Sequence, residues 1–112
     1  MEICFPDAET RDFYSCRQRL IEKWGTRLAD LVCCRLSVLQ AARALSLVPA
    51  TPPIGLARIA GRYPGYSVSL GRTHELRFKP DQPRPANPET PEVTRISIVG
   101  VFETTAHKGR NR

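Results

Sequence analysis

Two proline-rich stretches govern what this chain can become. Ser46 to Gly55, SLVPATPPIG, holds three prolines and a glycine, and Pro80 to Pro91, PDQPRPANPETP, holds five prolines in twelve residues. Proline lacks the backbone donor that a helix interior or a central strand requires. The first stretch therefore reads as a stiff connector and the second as a projecting loop of disorder-like composition. The segment before the connector has helical spacing, and the segments after it alternate like strands.

Met1 to Phe5 alternates Ile3 and Phe5 with Glu2 and Cys4 before Pro6 stops it, which predicts a short first strand. Asp7 is placed to cap a helix running to about Trp24, with Phe13, Cys16, Leu20 and Trp24 on one stripe and Arg11, Arg17, Gln18 and Glu22 opposite. Gly25 ends it. Thr26 opens a second helix, in which Leu28, Leu31, Val32, Leu36 and Leu39 keep the helical period to about Leu45. A tight glycine turn between two helices predicts an antiparallel helical hairpin.

Beyond the connector, Leu56 to Ala60 reads as a short strand. Gly61 to Phe78, GRYPGYSVSLGRTHELRF, reads as a β-hairpin. Tyr66, Val68 and Leu70 alternate with Ser67 and Ser69; after the turn, His74, Leu76 and Phe78 alternate with Glu75, Arg77 and Lys79. Val93 to Phe102, VTRISIVGVF, is the strongest strand, with Ile96, Ile98 and Phe102 expected on one face and Arg95, Ser97, Val99 and Val101 on the other. The expected fold is α+β: an N-terminal strand, a two-helix antiparallel hairpin and a mainly antiparallel sheet of three or four strands, in a single domain spanning residues 1–112 with a flexible basic tail at about 106–112.

Charge narrows the partners. Seventeen Lys and Arg against eleven Asp and Glu give a formal net charge of +6, which favours nucleic acid first and an acidic protein second. No apolar run approaches the ~18 residues of a membrane span, and the opening MEICFPDAET lacks a signal-peptide pattern, so no membrane is expected and the cytoplasm is the expected compartment. The four cysteines form no CxxC and fit neither a disulfide framework nor a recognisable zinc site; reduced, mostly buried thiols are expected, with no metal or organic cofactor.

The helix segment RLADLVCCRLSVLQAARAL, the connector with PPIGLARIAG, the hairpin GYSVSLGRTHELRF and the closing ISIVGV strand together resemble the HigB-type branch of the RelE/ParE superfamily, the toxins of bacterial toxin–antitoxin pairs also called plasmid-maintenance killer proteins. The resemblance implies a RelE/ParE-like fold and a ribosome-dependent endoribonuclease that cuts messenger RNA and arrests translation. It implies as partners a cognate HigA-like antitoxin, the ribosome and the message, with the chain either a monomer or part of a toxin–antitoxin hetero-oligomer. Such cleavage uses the RNA's own 2′-hydroxyl, so the protein must move protons and neutralise charge on the phosphorane.

The family's site residues carry over only in part. Where relatives often have His beside a basic residue, this chain has Ala57 next to Arg58; where the second hairpin strand usually carries Arg, it has Glu75, with Arg77 two residues on. The acidic-Tyr-His cluster at the end of the last strand falls on Glu103, Thr104 and Thr105, and a two-residue slip brings His107 to the His position. The catalytic candidates are accordingly Arg77, His107, Glu103 and His74, and the RNA-binding candidates Arg58, Arg62, Arg72, Lys79 and Arg95, with Tyr63 able to stack on a base. Each has a plainer structural role open to it: a charged outer sheet face for the arginines, pairing with Arg77 or Arg95 for the glutamates, semi-burial for His74. Two other functions stay open: a toxin of the same fold with a protein target such as DNA gyrase, and a catalytically decayed module that binds antitoxin or RNA.

Overall fold

The computed structural model describes residues 1–59, 65–81 and 93–104. It is an α+β arrangement of three α-helices and a five-stranded mixed sheet. The elements run β1 (Glu2–Cys4), α1 (Ala8–Tyr14), α2 (Arg17–Trp24), α3 (Thr26–Ala41), β2 (Ala57–Arg58), β3 (Tyr66–Ser69), β4 (His74–Pro80) and β5 (Arg95–Glu103), with a short 3-10 turn at Leu45–Leu47. In the sheet the order is β1-β5-β4-β3-β2; β1 runs parallel to β5 and the other neighbours are antiparallel.

Three expectations are corrected. The single helix over 7–24 is two helices, because Ser15 Oγ donates to the Arg11 carbonyl at 2.8 Å and the backbone at Cys16 is extended. A side-chain hydroxyl that bonds one turn back competes with the helix ladder. Tyr14 then stacks on Phe5 with centroids 5.5 Å apart, and Phe13 meets Trp24 edge-on at 5.6 Å, so α1 folds back over α2 through an aromatic cluster. The sheet has five strands rather than three or four, since both the N-terminal strand and the short Ala57–Arg58 strand join it. The second long helix also stops earlier than expected, at Ala41, where Ala42 turns extended.

Asp7 caps α1 as its position indicates, its Oδ1 accepting from the Thr10 amide at 2.7 Å. Gly25 joins α2 to α3 at φ 89°, a left-handed conformation that glycine adopts without a Cβ penalty. The core lies between the helices and one face of the sheet. Leu20, Ala29, Val32 and Leu39 pack with Val68, Leu76, Phe78, Ile96 and Ile98, all essentially inaccessible to solvent.

Arg35 lies on that same buried stripe and is only 6% exposed. Its Nε donates to the Ser69 carbonyl at 2.7 Å and its Nη2 to the Pro53 carbonyl at 3.3 Å. One buried guanidinium thus ties α3 to both the proline connector and β3. No helix among the described residues is long and apolar enough to cross a membrane. Of the four free cysteines none is fully buried and Cys34 is exposed; burial, aided by the Glu2 and Asp81 carboxylates, pushes the Cys4 thiol up.

Candidate nucleic-acid interface

The sheet register sorts the candidate residues onto two faces. On β4, Glu75, Arg77 and Lys79 point away from the helices, while His74, Leu76 and Phe78 share the helix-facing side. Across from Arg77 stand Ser67 on β3 and Gly100 on β5. Arg58 pairs with Tyr66, so it belongs to the helix-facing side at the sheet margin, whereas Ala57, paired with Ser67, shares the face of Arg77. Arg58 and Arg77 therefore do not converge.

On the outer face the prominent group is a closed one. Arg77 Nε lies 2.6 Å from Glu75 Oε2, and its guanidinium sits 4.4 Å from the centroid of Phe102. Phe102 stands there because β5 carries an irregularity: Arg77 pairs with Gly100 but Phe78 with Ile98, leaving Val99 as an extra residue. The extra residue reverses the alternation, so Phe102 faces outward and Val101 inward, opposite to the expectation from sequence. Gly100, opposite Arg77, carries no side chain between the guanidinium and the ring. Further along this face, Lys79 is exposed opposite Ser97, and Arg95 Nε donates to the Asp81 carbonyl.

The helix-facing side holds a second group at the turn end of the hairpin. A cleft of about 400 Å³ lies between the α2–α3 junction and the β3–β4 turn, lined by Trp24, Arg27, Arg72 and His74 over an apolar floor of Leu28, Leu31 and Leu70. The turn is held in place by β5: Thr104 N donates to the Thr73 carbonyl at 2.9 Å and Thr104 Oγ1 to the Arg72 carbonyl at 3.1 Å. Thr73 Oγ1 is 2.8 Å from His74 Nδ1, which fixes one ring nitrogen and the imidazole orientation. Glu103 stands directly across from His74 in the sheet register.

Arg72, His74 and Glu103 are thus gathered at one end of the sheet, and Arg77, Lys79 and Arg95 lie on the other face. Arg62, Tyr63, Thr105 and His107, the basic tail and most of the proline-rich loop fall outside the described residues. Arg27 and Trp24 are cleft residues that the sequence did not single out. Helical spacing puts Trp24 on a core stripe and gives Arg27 no role; their meeting with the hairpin turn is a tertiary contact that no local spacing encodes.

No protein-family model, curated protein or solved structure matches this chain.

Proposed function

We propose that this protein is a translation-arresting toxin of RelE/ParE-like fold that cleaves messenger RNA on the ribosome in the cytoplasm and is held inactive by an acidic antitoxin. The observation that carries the reading is the convergence of Arg27, Arg72 and His74 on one cleft beside an aromatic wall. Two guanidinium groups suit a phosphate that gains charge as it becomes a phosphorane. In this reading the His74 imidazole, held by Thr73, takes the proton of the 2′-hydroxyl as its oxygen bonds the phosphorus and the P–O5′ bond breaks; the 5′-oxygen leaves with a proton from water, and Arg72 and Arg27 bind the scissile phosphate. The chemistry fits the net charge of +6, which draws a polyanion to the surface.

The test is expression from a tight promoter of the wild type, His74→Ala and Arg72→Ala, with growth followed and transcript ends mapped. Arrest with new ends inside translated messages, relieved by His74→Ala, supports cleavage at this cleft. Arrest with intact messages points to a protein target such as DNA gyrase.

A second reading is favoured by the Glu75–Arg77 pair. The arginine nearest the family's phosphate ligand is already engaged by a carboxylate at 2.6 Å and by Phe102. A binding module that does not cleave RNA would give soluble expression without arrest.

A further inference from the structure

The cleft beside His74 does not stand alone. Trp24 is also a wall of a second hollow of about 610 Å³, which runs along β5 at Val99 to Phe102 and is bounded by α1 and α2. This is the side of β5 left open where β1 ends, since β1 pairs only with Arg95 to Ser97. Arg19 and Lys23 line this second hollow, as Arg27 and Arg72 line the first. Of the residues lining the two, Glu9 is the one carboxylate. Aromatic rings lie beside these cations: Lys23 Nζ is 5.6 Å from the Trp24 centroid and 5.7 Å from that of Phe13, and Phe102, 38% exposed, lines the same hollow.

Cations at intervals with aromatic faces between them match a chain of phosphates with unstacked bases between them. A duplex keeps its bases stacked and paired, so it offers phosphates but no free base for an indole. An acidic peptide would use the cations and leave the aromatic interleaving without a role. We propose that the two hollows form one track for an unpaired nucleic-acid strand, with phosphates on Arg27 and Arg72 at one end and on Arg19 and Lys23 at the other, and a base against Trp24 between them. The proposal rests on the RNA reading for the kind of ligand, and it adds a binding surface that runs from the cleft beside His74 to the open edge of β5, where it ends at Phe102, the ring under Arg77.

Trp24 is the single tryptophan of the chain, so its fluorescence reports occupancy directly. The full chain is titrated with a short 2′-O-methyl oligouridylate, which cannot be cleaved through its 2′-oxygen, and in parallel with an RNA duplex of equal length and with polyglutamate. Saturable quenching by the single strand is expected, with affinity falling steeply as salt rises. The double variant Arg19→Glu/Lys23→Glu should weaken it by about tenfold or more, while Arg43→Glu, a charge reversal on an exposed residue outside both hollows, stays within about twofold. Circular dichroism melting confirms that both variants fold. Equal binding of duplex or polyglutamate, no quenching, or equal losses in the two variants would overturn the track. Intact transcripts in cells together with retained single-strand binding would remove only the cleavage reading, and cleavage without quenching would remove only the track.

Discussion

The guanidinium of Arg77 on β4 lies 4.4 Å from the centroid of the Phe102 ring, which an unbroken alternation of β5 would turn to the opposite face and the irregularity at Val99 brings to Arg77. Glu75, directly across from Phe102, lies 2.6 Å from Arg77 Nε, so the three side chains form one stack on the outer face of the sheet. The stack sets the first of four expectations for measurement.

Glu75→Gln should release Arg77 from its carboxylate. The pair is partly exposed, with side chains 33% and 19% accessible, so solvent screens it and the loss of stability should be small, roughly 0.5–1 kcal/mol. Affinity for RNA should rise if Arg77 is a latent phosphate ligand. Urea denaturation and filter binding on the same variant separate the two effects, and unchanged RNA affinity would leave Arg77 a purely structural residue.

Arg35 should be far less tolerant. Arg35→Ala leaves the carbonyls of Ser69 and Pro53 without this donor and opens a void beside α3, a cost of about 2–3 kcal/mol. Arg35→Met fills much of the void and should recover part of that loss. The midpoints of urea unfolding for the two variants test the order, and an Ala variant as stable as wild type would show that the guanidinium contributes nothing net.

Asp7 gives an acid-side signature. The Thr10 amide hydrogen bond holds its carboxyl below the usual range. A lowered folded value means that the stabilisation is present above the unfolded carboxyl value near 3.9 and is lost as pH falls through the folded one. Asp7→Asn keeps a capping oxygen without titrating, so its stability should be flatter with pH below about 4 than that of wild type. Thermal melts across that range make the comparison.

Tyr14 gives an alkaline one. Burial pushes its phenol up, partly offset by a hydrogen bond from the Val101 backbone. The folded state therefore holds the proton more tightly than the unfolded chain. Stability is intact below the unfolded value near 10 and declines as pH rises from there toward the folded value. Tyr14→Phe should remove this tyrosine's share of the decline while leaving Val101 without its hydroxyl partner. Urea midpoints between about pH 9 and about pH 11 test it, and an identical slope in the variant would assign the decline elsewhere.

Much of the fold was legible because local periodicity carries it. Leu20 on α2, Val32 and Leu39 on α3, and Leu76 and Phe78 on β4 all follow from spacing alone and all are buried. The break at Ser15 was not legible, because Phe13, Cys16, Leu20 and Trp24 keep a helical stripe straight through it; what interrupts the helix is a hydroxyl bond and an aromatic cluster closed by Phe5, just past the end of β1. Of the candidate site, Arg72 and His74 were named from the hairpin. Their partners Trp24 and Arg27 were not, since they arrive from a helix junction about fifty residues earlier in the chain.

Strand and helix periods and the turn and capping positions follow from amino-acid order, because each depends on neighbours within a turn or two of the chain, and the surplus of positive charge follows from composition. Tertiary structure alone decided that Phe102 faces outward, that Arg35 is held inside the core by carbonyls, and that Arg58 and Arg77 lie on opposite faces. Those outcomes depend on strand register, a one-residue irregularity and backbone groups brought in from distant segments. Register is a property of pairs of strands, so it is settled only when the strands meet.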